Sequence, residues 1–324
     1  MPTKKRTRQT PVGKEIDDLE LDWWNKNADI ISKVWEMDPV ISWDVRKEYL
    51  LRAKSFFQKD NNEVTILEVG CGSGWVGQSI VSDDFHLIGT DFSQEQIFLA
   101  NENAKRKKLQ NYCQYILLRS DVFPKDTTQI NGILIHCLLH HLTNEEIKDF
   151  FRELKLKIKP GSKIFIYEPA FFDFGSNSPR ELDAKSFTLL NLSNFIDKCL
   201  IFVSNILRIG DVKTKNEFDN LLQKAEENGW CLSPKEVPLN ITEFSAILQE
   251  ICIIDKSYWK TLYSIGWGST INNIKNKFLR RLLGAIFIPI YVYTDKCLSM
   301  NPNYLKNEFV EPKYAFHIWE CFLK

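Results

Sequence analysis

The chain has 324 residues, ample for a substantial core, and its 42 basic and 42 acidic side chains cancel. That balance excludes a global attraction to nucleic acid or to an anionic membrane. An apolar content of 44% is ordinary for a globular protein, and one domain with an elaboration is expected.

Basic residues do gather at the start, where Lys4, Lys5, Arg6, Arg8 and Lys14 precede the first acid, Glu15. A solvated tail is the expected role, with contact to an anionic partner as the alternative. No apolar run accompanies these charges, so no signal peptide is expected. Eight cysteines are scattered without a C-x-x-C pair, several inside apolar runs such as 133-ILIHCLL-139. Buried thiols in a reducing cytoplasm fit this better than a disulfide framework or a zinc site.

Along the chain, Trp24, Ala28, Ile31 and Trp35 recur at helical spacing, with Asp17 or Asp18 available as a cap. Pro39 ends that pattern, and 43–57 predicts a second helix. From residue 63 the rhythm changes to strands alternating with helices. TILEV leads into glycines and a short helix with Val76 and Ile80; HLIGT leads into a capping box at Ser93–Gln96. YCQYILL and ILIHCLL follow, then a second capping box at Thr143–Glu146 opens a helix with Ile147, Phe150, Phe151, Leu154 and Ile158 on one face. Lys159-Pro160-Gly161 stops it before the strand KIFIYEP. Such alternation implies an α/β fold with a parallel sheet covered on both faces.

After Pro169 the alternation stops. Residues 171–228 read as mostly helical, 229–239 as a further strand, and 241–310 as mixed and aromatic-rich. The run 282-LLGAIFIPIYVYT-294 contains a proline and falls short of the ~20 residues of a spanning helix. It predicts a buried helix or an apolar substrate wall, with contact at a membrane surface as the alternative. A closing strand is expected within 314–324.

Gly70, Gly72, Gly74 and Gly77 lie between the first strand and its helix, at the carboxyl edge where open α/β sheets bind ligands. Glycine permits a tight turn and close approach, and the helix start suits an anion. Taken alone, Gly72-Ser-Gly-Trp-Val-Gly77 with Asp91 beyond it also fits a dinucleotide fingerprint and a nucleotide-dependent oxidoreductase. Glu68 weighs against a pyrophosphate there and favours a ligand with an ammonium group. A second acid-bearing strand end, 119-RSDVFP-124, points the same way.

The ordered set of Glu68 with Gly70, Gly72 and Gly74, then Asp91, Asp121-Val122, 134-LIHCLLHHLTNEE-146 and 154-LKLKIKPGSKIFIYEP-169 resembles the class I S-adenosylmethionine-dependent methyltransferases. The likeness covers 63–170 well and the later strands loosely. It implies a Rossmann-like, mostly parallel, seven-stranded sheet with helices on both faces. Residues 1–62 would then be the basic tail and lid helices, and 63–170 the S-adenosylmethionine-binding core. A cap or substrate region would occupy 171–310, with a core strand near 229–239, and 311–324 would return a strand to the sheet.

The resemblance implies that Gly70, Cys71, Gly72 and Gly74 wrap the methionine part of S-adenosylmethionine, with Glu68 near its amino group. Asp91 would accept from both ribose hydroxyls and Phe92 would lie along the adenine. Asp121 and Val122 would meet the adenine edge, and the backbone near His136 would face the methionine. Turn and cap roles for the two aspartates, and a structural pairing for Glu68, are the plainer alternatives.

A hydroxyl acceptor needs a base, and His141 and His140, just beyond the fourth strand, are the candidates. Ordering the loop without moving a proton is the competing role for both. Glu168 is a third acid–base candidate, and no metal constellation is evident. Trp23, Trp24, Trp35 and Trp43 serve either as a lid or as packing under the sheet. Tyr258, Trp259, Tyr263, Trp267 and the 282–293 run suit a partly apolar small-molecule acceptor. The stretch HCLLHHL lacks an Asn-Pro-Pro-Tyr-like signature, which weighs against a nucleic-acid or protein acceptor. Oligomeric state is not encoded in any of these patterns.

Overall fold

A computed structural model describes residues 14–35, 45–58, 64–82, 85–119, 122–171, 184–207, 233–237, 239–261, 271, 274, 276–299 and 315–324. The chain opens with α1 (Lys14–Trp35) and α2 (Val45–Gln58). It then alternates through β1 (Val64–Val69), α3 (Trp75–Ile80), β2 (Phe85–Asp91), α4 (Gln94–Arg106) and β3 (Cys113–Leu117). Next come β4 (Ile130–His136), a 3-10 turn at Leu139–His141, α5 (Asn144–Lys157) and β5 (Lys163–Phe171). The later elements are α6 (Ala184–Leu207), β6 (Leu239–Asn240), α7 (Ile241–Ile251), β7 (Cys252–Thr261), α8 (Lys277–Ser299) and β8 (Ala315–Leu323).

The sheet has eight strands rather than the expected seven. Seven follow the order β3-β2-β1-β4-β5-β8-β7, and the two-residue β6 pairs with the end of β5. Strands β1 to β5 pair in parallel, whereas β8 runs antiparallel between β5 and β7. Of the expected strand at 229–239, the described residues 233–237 form a turn and loop, and Leu239 joins Asn240 in β6. The sheet strand from this region is instead Cys252–Thr261, inside the stretch read as cap.

Two apolar layers cover the sheet. Ile164 and Ile166 of β5 join Phe150, Phe151 and Leu154 of α5 and Phe244 and Leu248 of α7 on one face. Phe165 and Tyr167, the alternate residues, join Tyr49, Ala53, Phe56 and Phe57 of α2 on the other. This alternation along one strand is the period-two rule at work, and it explains why buried strands read as continuous apolar runs.

Both predicted capping sites open helices. Thr143 and Glu146 make the full reciprocal box. Ser93 accepts from Gln96 N–H, but its own N–H donates to Asp91 Oδ1 at 2.9 Å. The start of α1 lies at Lys14, which puts Asp17 and Asp18 inside the helix instead of at its cap.

The question of whether the N-terminal helices pack or cover divides between them. Helix α2 packs against the sheet face. Helix α1 lies against α4 at the carboxyl edge of the strands, where Asn25 Oδ1 accepts from Ser93 Oγ at 2.7 Å. Trp43 lies outside the described residues.

Phe151 is fully buried where α5, β5 and α7 meet. Phe151→Ala should therefore cost about 3–5 kcal/mol of stability, read as a lower urea midpoint with a near-constant slope. A loss below about 1 kcal/mol would mean that this layer is loosely packed.

Candidate functional site

The carboxyl ends of β1, β2, β4 and β5 converge on one edge of the sheet, and the predicted residues gather there. After β1 the backbone turns with positive φ at Gly70 (68°), Gly72 (52°) and Gly74 (77°). Side chains rarely adopt that conformation, so the alternate glycines serve the turn itself. Gly77 serves a different end. A Cβ there would lie 2.3 Å from Glu68 Oε2 and 2.5 Å from a Leu87 methyl, so the helix can settle onto these side chains because Gly77 has none.

Glu68 is buried beneath the turn. Its Oε1 accepts from Gly77 N–H at 3.2 Å, while its Oε2 has no hydrogen-bond partner. Burial pushes its pKa up to about 8, against the Gly77 hydrogen bond and with a further push from the Asp91 charge. Asp91 closes β2. Its Oδ2 accepts from Gly72 N–H and its Oδ1 from Ser93 N–H, each at 2.9 Å. Burial raises its pKa to about 6 despite the nearby amides of Ser93, Gly72 and Phe92 and the charge of His141.

The other predicted residues that are described line the same edge. Cys71 is buried, its N–H donates to Thr90 C=O, and burial holds its thiol well above the usual range. Phe92 is half-buried and Val122 is 46% exposed. Asp121 lies outside the described residues. His136 ends β4 with its ring against both Tyr49 and Tyr167, at 5.5 and 4.9 Å between centroids, and those two rings also stack on each other at 4.5 Å. Burial lowers its pKa to about 4, so it is neutral. The next residue, Cys137, has φ 53°, a strained conformation for a side chain other than glycine.

His140 and His141 occupy the turn after that strained residue, and a carboxylate holds each. Glu168, fully buried on β5, accepts through Oε1 from Leu138 and Leu139 N–H and through Oε2 from His140 Nδ1 at 2.7 Å. Burial alone would raise the Glu168 pKa; His140 and the two amides outweigh it and hold it below the usual range. Glu168 therefore fixes the turn and the His140 ring together.

His141 is held from outside the sheet. Glu20 of α1 accepts from its Nδ1 at 3.0 Å, and Ser233 Oγ lies 3.1 Å from the same nitrogen. The Trp24 ring meets His141 edge-on at 5.5 Å. Burial works to lower the His141 pKa, but Glu20 prevails and holds it above its ordinary value. The same pair carries Glu20 down to about 2 although burial acts the other way. Glu20 Oε2 also accepts from Lys235 N–H, and the Lys235 ammonium, buried, meets Asp17 at 2.7 Å and Glu146 at 3.3 Å.

Sequence reasoning missed Glu20, Ser233 and Lys235. One signal was present: Glu20 falls on the Trp24–Ala28–Ile31 stripe, an acid at a position the helix buries. Among the aromatic residues assigned to an acceptor pocket, Tyr263 and Trp267 lie outside the described residues. Among the described residues no group of three or more His, Cys, Asp or Glu side chains is arranged to hold a metal.

Glu20→Gln keeps the shape and removes the charge. In that variant the His141 pKa, followed by the NMR shift of its ring protons, should fall, because burial then acts without the opposing charge. An unchanged titration would mean that Glu20 does not set the protonation of this ring.

Residues 66–161 match the family model of a methyltransferase domain. A ubiquinone biosynthesis O-methyltransferase of Coxiella burnetii is 27% identical over 153 residues, covering 47% of this chain and 58% of that protein. Its counterpart from Rickettsia felis is 26% identical over 159 residues, covering 47% and 59%. The chain thus spans a little over half the length of these curated relatives. Among solved structures, mycolic acid cyclopropane synthase CmaA1 has 12% identity and a TM-score of 0.55, covering 94% of this chain and 98% of that one. The cyclase SpnF has 13% identity and a TM-score of 0.52, covering 97% of both. At such identities these two share the fold, which hosts more than one chemistry. The matched segment, which holds the glycine turn, Asp91 and the histidine turn, is thus similar to a methyltransferase domain.

Proposed function

We propose that the protein transfers a methyl group from S-adenosylmethionine to a hydroxyl of a partly hydrophobic small molecule. One observation carries this: Asp91, buried at the end of β2, ties the glycine turn to the start of α4 with one hydrogen bond from each oxygen. A carboxylate has about four lone-pair sites, so two remain for a pair of vicinal ribose hydroxyls. The fit extends to the turn, whose three positive-φ glycines leave no side chains over the backbone, and to Glu68, whose free oxygen lies beneath that turn.

In this reading Gly70, Cys71, Gly72 and Gly74 cradle the methionine end, with Glu68 near its amino group. Phe92 and Val122 flank the adenine, with Asp121 carried over from the resemblance. When bound, S-adenosylmethionine supplies an electrophilic methyl on a sulfonium, so the protein's part is orientation and exclusion of water. Helix α1, with Trp23 and Trp24, supplies cover at the carboxyl edge.

A hydroxyl acceptor must also lose a proton. His141, once deprotonated above its raised pKa, is the better base of the two histidines, because Glu20 accepts from Nδ1 and leaves Nε2 to take the proton. His140 is committed to Glu168 and the turn, so it acts as a positioning residue. The curated relatives named as O-methyltransferases support oxygen as the acceptor atom. Free cysteines throughout the described residues suit a reducing, cytoplasmic setting.

Calorimetry with S-adenosylhomocysteine tests the site. Asp91→Asn should weaken binding by about 1.5–3 kcal/mol, roughly ten- to a hundredfold, since hydrogen bonds to a charged acceptor are lost. Wild-type affinity should fall as pH drops through about 6, where Asp91 takes up its proton. The variant should lose that pH dependence. Equal affinity in both proteins would remove Asp91 from the site, and tight binding of a reduced nicotinamide dinucleotide instead would favour an oxidoreductase.

A further inference from the structure

Helix α1 meets the rest of the molecule largely through polar atoms. Of its described apolar side chains only Ala28 and Ile31 are buried, whereas Glu20 is buried at the strand ends. Glu20 Oε1 accepts from Trp24 Nε1 at 2.8 Å, from Ser233 Oγ at 2.7 Å and from His141 Nδ1 at 3.0 Å. Its Oε2 accepts from Lys235 N–H at 2.8 Å. These donors fill the roughly four lone-pair sites of a carboxylate. One belongs to α1 itself, and the others join it to the histidine turn and to residues 233–237.

Among those donors only His141 changes charge near neutral pH. Glu236 from the 233–237 segment and Glu168 from β5 also act on its charge, and Asp91 of β2 interacts with it. The His140 ring lies 4.0 Å away between centroids and is bound to Glu168. Glu20 raises the proton affinity of His141 against the burial that lowers it. Linkage is reciprocal, so the proton must favour the docking of Glu20 by the same factor.

We infer that α1 is a lid and that the proton on His141 is its catch. With the proton, an imidazolium–carboxylate pair holds Glu20, and α1 with it, across the strand ends. Without the proton a weaker, neutral hydrogen bond remains, and the lid opens more often. The hold is full below the ordinary histidine pKa of about 6.5 and is lost as pH rises through the raised value of His141. Joined to the proposed reaction, the catch follows the proton. Neutral His141 both admits an acceptor and can take its hydroxyl proton at Nε2, and the imidazolium so formed keeps the lid shut until water removes that proton. This last step rests on the proposed function; the catch itself does not.

Hydrogen exchange of the protein without cofactor tests the catch. Protection factors of the α1 amides, corrected for the intrinsic effect of pH, should fall severalfold between about pH 6 and pH 9. The midpoint should match that of the His141 ring protons followed by NMR. His141→Asn places an amide donor near the Nδ1 position and removes the titration, so its protection should stay level over the same range. Glu20→Gln removes the other charge and should level it too, which keeps the test open if His141→Asn does not fold. Level protection in the wild type while His141 titrates would overturn the inference. So would an unchanged fall in either folded variant, which would place the switch on another group such as Asp91 or His140. Methyl transfer plays no part in this experiment, so its outcome is separate from that of the proposed reaction.

Discussion

The Asp91 carboxylate is the interaction on which the site depends. It sits at the end of β2, yet it accepts from an amide of the β1 turn and from the amide that begins the cap of α4. Three chain segments are thereby held to one group. Ser93, whose amide serves Asp91, also caps α4 through its hydroxyl oxygen and donates that hydroxyl to Asn25 of α1. A single buried charge thus links the glycine turn, a helix start and the covering helix. The cost is visible in the raised pKa of Asp91 itself, and a ligand that donates hydrogen bonds to the carboxylate would relieve it.

A second shell of charge stands behind the histidines. Glu168 secures the turn from within the sheet, and Glu20 secures His141 from α1. The two carboxylates differ in origin and so in consequence. Glu168 belongs to the rigid core, whereas Glu20 reaches the site only while α1 lies across the strand ends. Ser233 and Lys235 complete that clasp from a segment more than 200 residues away in sequence. The order of the histidine turn therefore depends on tertiary contacts that join the start of the chain to its later half.

Much of the core was legible in the sequence because its signals are local. The glycine spacing, the two caps and the alternating apolar strands each depend on residues within a few positions of one another. The acid at Asp91 was legible for the same reason, since it terminates a strand just before a cap. Other features depend on distant partners. Strand β7 was read as cap because Cys252 follows directly on α7 without a turn signal between them. Glu20 pairs with His141 from far along the chain, and no local pattern names that partner. The run 282–293 reads as a buried helix or a substrate wall, with contact at a membrane surface as the alternative, because periodicity cannot separate the two sides of a helix that is apolar on both. In the fold its inner side packs and its outer side is exposed.

A crystal structure with S-adenosylhomocysteine bound would test the central claim most directly. Both ribose hydroxyls should lie within about 3 Å of the Asp91 carboxylate, with the amino acid end of the ligand against the turn at Gly70–Gly74. Adenosine bound elsewhere, or a pyrophosphate resting on that turn, would contradict the account.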